Sequence, residues 1–120
     1  MRFPRCLAWA TALLLLGGAA AGAASFEGKW SVVIMTDQGS CDAAYRYPLR
    51  IENGVVRYEG DPDIKVSGKV DDKGAVQVAI SRGAQHAEGS GRLNGDAGSG
   101  TWSGASTTDR CEGRWEAERR

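Results

Sequence analysis

Past its first two dozen residues the chain has no apolar run of about 20 residues, so no helical membrane span is expected there. Helical periodicity is missing as well, and with it the basic amphipathic helix that would mark a membrane-surface binder. Neither charge is in excess, with 15 Lys and Arg against 15 Asp and Glu in 120 residues. Nucleic acid normally demands a basic excess or stripe, so it is not an expected partner. Histidine occurs once, as His86, and cysteine three times. One histidine and scattered cysteines make no metal-ligand spacing, so neither a metal nor a cofactor is expected.

The first segment accounts for the missing hydrophobicity. Arg2 and Arg5 precede an apolar run from Leu7 to Leu16, and small residues follow through Ala24. This is the pattern of a secretory signal peptide over residues 1–24, cleaved after Ala23 or Ala24. Cys6 precedes the apolar run and so is no lipid acceptor. The expected product is one domain over residues 25–120, periplasmic or secreted, with no stable membrane insertion. It keeps 13 basic and 15 acidic residues, a net charge of −2.

Cys41 and Cys111 remain, and an isolated pair in an exported domain reads as a disulfide. Closing a loop of about 70 residues would contribute on the order of 4 kcal/mol.

Alternation of period two dominates the rest. Trp30, Val32 and Ile34 share one face of a first strand; Tyr45, Tyr47, Leu49 and Ile51 share one face of a second. Asn53-Gly54 then signals a type I′ hairpin, since both residues must take positive φ. A two-residue turn there pairs Glu52 with Val55, Ile51 with Val56, Arg50 with Arg57 and Leu49 with Tyr58. Apolar meets apolar and charge meets charge, so the register is self-consistent. The apolar face continues through Ile64, Val66 and Val70, and after Asp72-Lys73-Gly74 through Val76, Val78 and Ile80. Leu93, Trp102 and Trp115 share theirs with glycines, among them Gly89, Gly91 and Gly100.

Eight short strands with turns every ten residues or so predict an all-β barrel or a β-sandwich. The cysteines favour an eight-stranded antiparallel up-and-down barrel, with the sandwich as the alternative. In a closed meander, strands one and eight are antiparallel neighbours, so Cys41 after the first meets Cys111 opening the eighth. Tight turns then gather at one end, and longer connections over residues 37–44, 60–63, 83–85 and 104–109 gather at the other. Sites in small barrels favour the mouth.

The aromatics read first as core packing, with same-face glycines making room for rings. Gly28, Trp30, Gly113 and Trp115 read as a closing device at the seam, the glycines relieving crowding where the two tryptophans plug the tight-turn end. If a ligand cavity exists, Tyr45 and Tyr47 lie nearest the looped end, with Asp37, Gln38, Arg82 and Arg110 around its mouth. Ser40, Ser81, Ser90 and Asp109 offer His86 no spacing of a catalytic triad; His86 reads as a solvated residue beside Glu88 on the outer face. Asp61-Pro62-Asp63 and Asn94-Gly95-Asp96 read as turns rather than calcium loops. No catalytic residue is assigned.

Gly28-x-Trp30 resembles the first-strand motif of lipocalins and of other calycin barrels such as avidins, and Gly100-Thr101-Trp102-Ser103-Gly104 is similar to avidin sequence. Those resemblances imply a small ligand bound in or at the mouth of a barrel. Signal peptide, G-x-W strand and single disulfide also resemble periplasmic inhibitors of proteases and lysozymes. The whole mature chain is similar to a group of small exported proteobacterial barrels with G-x-W motifs and one cysteine pair, which implies fold and location but no chemistry. The resulting expectation is a non-enzymatic periplasmic binding module engaging a small molecule or an envelope protein through its looped end. The alternative is an envelope inhibitor of a hydrolase, acting through loops such as residues 37–44.

Overall fold

A computed structural model describes residues 26–120, so the signal segment expected over residues 1–24 lies outside the described residues. Eight antiparallel strands form a closed barrel: β1 (Gly28–Gln38), β2 (Ala44–Glu52), β3 (Val55–Arg57), β4 (Lys65–Val70), β5 (Ala75–Arg82), β6 (Gln85–Asn94), β7 (Ala97–Ala105) and β8 (Arg110–Arg119). Each strand pairs with the next, and β1 pairs with β8 along most of its length to close the sheet. Closure removes most of the exposed strand edges that template aggregation.

Local chemistry sets these joints. At the first hairpin Asn53 and Gly54 have φ of 54° and 76°, as a type I′ turn requires. Arg50, Ile51 and Glu52 pair with Arg57, Val56 and Val55, the register read from the sequence. The ladder stops there, however. Tyr58 leaves the sheet, and β3 meets β4 through the single pair Val55 and Lys69. The looped half of β2 therefore has no strand on that side, and residues 58–64 bridge the gap. A second departure concerns β5 and β6, which are joined by a two-residue turn, residues 83–84, with Gly83 at φ 58°.

The Cys41–Cys111 disulfide fastens the looped end of the β1–β8 seam, with Cα atoms 6.2 Å apart. Beside it, register slips between Thr36 and Gln38, leaving Asp37 as the extra residue of a β-bulge. Gly113 permits this approach, because a Cβ there would lie 1.9 Å from the Met35 carbonyl oxygen. Backbone, not an indole ring, is thus what crowds Gly113. Gly28 is not crowded: a Cβ would meet nothing within 4 Å, and its φ of 118° is what calls for glycine.

The tight-turn end is shut by Phe26 and Trp30, both buried. The Trp30 indole donates to the Phe26 carbonyl at 2.9 Å, and the Arg119 guanidinium lies 4.9 Å over its ring. Glu27 accepts from the backbone amides of Asn53 and Gly54, tying the chain's entry to the hairpin turn. Trp115, expected at this end, instead lies mid-barrel, opposite Ile34 on β1 and Gly100 on β7. Its ring rests where Cβ atoms on Gly91 and Gly100 would come within 2.5 and 2.6 Å. Those glycines seat the indole against the β6–β7 wall, which keeps the barrel axis clear.

Candidate functional site

Burial of the inward-facing side chains changes along the barrel. Trp30, Ile51, Val70, Val76 and Leu93, next to the tight turns, are buried. Val32, Ile34, Leu49, Val66 and Val78, one or two steps further on the same strands, are only half-buried. Apolar groups that point inward yet reach solvent mark an unfilled interior. A cavity of about 710 Å³ occupies that space, from Trp30 at its base to residues of the looped connections such as Ser106 and Thr108. Its size falls within the range of small-molecule sites.

The walls are apolar, and their buried indole N–H groups are already engaged. Trp102 Nε1 donates to the Met35 carbonyl at 2.9 Å, and Trp115 Nε1 to the Ser90 carbonyl at 3.1 Å. Hydrogen-bonding side chains appear only towards the mouth. Tyr45 and Tyr47 project from β2 in an edge-to-face pair with centroids 6.0 Å apart, and Tyr58 extends the row, 5.8 Å from Tyr47. Burial is the main cause that pushes the Tyr47 phenol above its ordinary value, followed by its two tyrosine neighbours, with Arg82 opposing. That phenol stays protonated, a donor as well as an acceptor.

Of the six residues expected at the mouth, Tyr45, Tyr47 and Arg82 line the cavity, whereas Asp37, Gln38 and Arg110 do not. Asp37 turns outward into a two-pronged pair with Arg114, both contacts 2.9 Å, and that hydrogen-bonded guanidinium holds its carboxyl below the ordinary range. Plain alternation would put Gln38 on the inner face with Trp30, Val32 and Ile34. The bulge at Asp37 shifts it by one, opposite the outward-facing Glu112. Arg110 precedes the inward Cys111 and therefore faces out.

Further groups at the mouth were not expected there: Ser40 and Asp42 from the first loop, Asp109 from the last, and Gln85. Gln85 was legible, since it has the same alternation as Ala87 and Gly89. The others sit in loops, where no period can be extended. The Asp109 carboxylate accepts from the Ser40 hydroxyl in a short contact, from the Ser40 amide at 3.3 Å and from the Arg110 amide at 2.8 Å. The hydroxyl contact is the largest cause that lowers its pKa.

By alternation His86 lies on the outer face, across from Ser81 and Ala105 in the ladder, and it also borders the looped end of the cavity. Among the described residues no three of His, Cys, Asp and Glu are gathered to hold a metal ion. What this interior offers is containment: an apolar shaft closed at one end, with hydrogen-bonding groups at the other. No family model, curated protein or solved structure matches this chain.

Proposed function

We propose that this protein is a non-enzymatic binding module of the periplasm or the extracellular space, taking a small, mainly apolar ligand into its barrel through the looped end. The cavity of about 710 Å³, apolar below and polar at its mouth, is the observation that carries this reading. Eight glycines or alanines on the inner faces of β6 to β8 would be an odd choice for a barrel filled by its own side chains. Two large indoles pressed against that wall leave volume that the protein does not fill.

The outer face supports a water-soluble barrel. Lys65, Lys69, Gln77, Glu88, Arg92 and Glu116 all point outward and are exposed. A membrane-spanning barrel reverses this arrangement, with an apolar exterior and a polar lumen. The disulfide accords with an oxidising compartment. Residues 39–43, the loop that an inhibitor would present, are exposed and held in one conformation. The disulfide, the Ser40–Asp109 contacts and the Thr36 hydroxyl donating to the Asp42 carbonyl at 2.6 Å all hold them.

Native mass spectrometry of the protein purified from its host's envelope tests the proposal. A small added mass that Val78→Trp removes, by filling the cavity, is the expected result. A bare chain that stays bare after incubation with an apolar extract of the same envelope would contradict it, and a protein adduct would favour the inhibitor.

A further inference from the structure

Resting on that reading, we infer that the ligand is a single-chain amphiphile with an anionic head, its tail in the barrel and its head held by the Arg82 guanidinium and the Tyr47 hydroxyl. The inner face of β5 runs Val76, Val78, Ile80 and then, by the same alternation, Arg82. Arg82 pairs across the turn with Gln85, and both line the cavity. A cation thus stands directly above an aliphatic column. Below it the engaged indoles leave nothing for a polar ligand body to bond, so the ligand's polar atoms belong at the mouth.

The donors there converge. Arg82 and Tyr47 both line the looped end of the cavity, from β5 and β2. Among the described residues the Tyr45 and Tyr47 hydroxyls have no hydrogen-bond partner, whereas the Tyr58 hydroxyl accepts from the Asp61 amide at 3.2 Å. Arg82 itself has a loose companion: Asp61, on the bridging loop, lies 3.6 Å away, and the two side chains are 39% and 56% exposed. Exposed pairs of this kind contribute little. A ligand carboxylate, sulfonate or phosphate could take the place of Asp61 and gain the Tyr47 hydroxyl as well. Charge-assisted bonds of that sort are among the stronger ones available.

Acidic groups across the mouth argue for a cationic head, and they are weaker candidates. The Asp109 carboxylate is occupied by Ser40 and by the Arg110 amide. Asp42 is left to serve a cation.

Three ligands with one tail length separate these possibilities: dodecanoate, dodecanol and dodecyltrimethylammonium, titrated below their micelle concentrations and followed by tryptophan fluorescence, since Trp102 and Trp115 border the cavity. Dodecanoate should bind about tenfold tighter than the other two, the size expected of one hydrogen bond to a charged group. Arg82→Gln should remove that advantage and leave dodecanol unchanged. Asp61→Asn, which removes the competing carboxylate, should tighten dodecanoate alone. Equal or tighter binding of dodecyltrimethylammonium, or an advantage that survives Arg82→Gln, would overturn the inference. Dodecanol binding as well as dodecanoate would overturn the anionic head and leave the cavity reading standing. If none of the three binds, both fail.

Discussion

Removing the disulfide probes how the barrel is held closed. Cys41 and Cys111 are 70 positions apart, so their bond restricts nearly three quarters of the described chain in the unfolded state. The chain-entropy relation gives about 4.4 kcal/mol at 25 °C for a loop of that length. A domain of this size has a total stability of roughly 5–15 kcal/mol, so the loss is large without having to abolish folding. At about 4–8 °C per kcal/mol, the melting temperature should fall by some 20 °C or more. Cys41→Ser with Cys111→Ala, which respects the exposure of the first and burial of the second, is the perturbation. Urea and thermal unfolding followed by tryptophan fluorescence would measure it, with reduced wild type as a second form of the same change. The β1–β8 ladder extends from Trp30 to Gln38 without help from the sulfurs, so the folded variant should keep its barrel circular dichroism. A fall below 5 °C in both forms would refute the loop-entropy reasoning and place closure in the ladder alone.

Other substitutions test other joints. Gly100→Ala puts a methyl group 2.0 Å from the Ser90 carbonyl oxygen and against the Trp115 ring, and should destabilise by about 1–3 kcal/mol in urea titrations with a shifted Trp115 emission. Gly28→Ala meets no neighbour, so its loss should reflect backbone strain alone, on the order of 1–3 kcal/mol. Phe26→Ala opens the base of the barrel and should cost about 3 kcal/mol by the same measurement. Asp71 accepts from the Ala75 and Lys73 amides, which hold its carboxyl below the ordinary 3.8. A depressed carboxyl stabilises fully above its unfolded value and loses that contribution as pH falls through the folded one. Wild type should therefore exceed Asp71→Asn in stability at pH 6, and the gap should close below about pH 4.

Strand faces and hairpin register were legible because alternation and turn chemistry act over a few residues. Asn53-Gly54 fixed a pairing that the ladder repeats, and the cysteines pointed to the seam they close. The departures came where one residue breaks a count. Asp37 bulges and carries Gln38 from the inner face to the outer; nothing in the local sequence marks that extra residue, because Gly113, which allows it, is distant in the chain. Leu49 and Tyr58 had compatible chemistry, but β3 ends at Arg57 and the next residues bridge a gap instead. The G-x-W copy at Trp115 matches that at Trp30 and suggests a second plug, yet β1 and β8 run antiparallel, so equal motifs fall at different heights. Nothing in the sequence marks Phe26 as the base of the barrel, because a residue before the first strand has no period. Arg82 and Gln85 follow from alternation, whereas Ser40, Asp42 and Asp109 reach the mouth through loop conformation that no pattern encodes.

The central claim is that the interior is an open, apolar binding site rather than a filled core. Titration with N-phenyl-1-naphthylamine, a neutral apolar fluorophore, tests it most directly in wild type and in the filling variants Val78→Trp and Val66→Trp. The account predicts saturable, one-to-one, blue-shifted enhancement in wild type, and its loss in filled variants whose circular dichroism is unchanged. No saturable enhancement in the folded wild type, or equal binding by the folded filled variants, would contradict it.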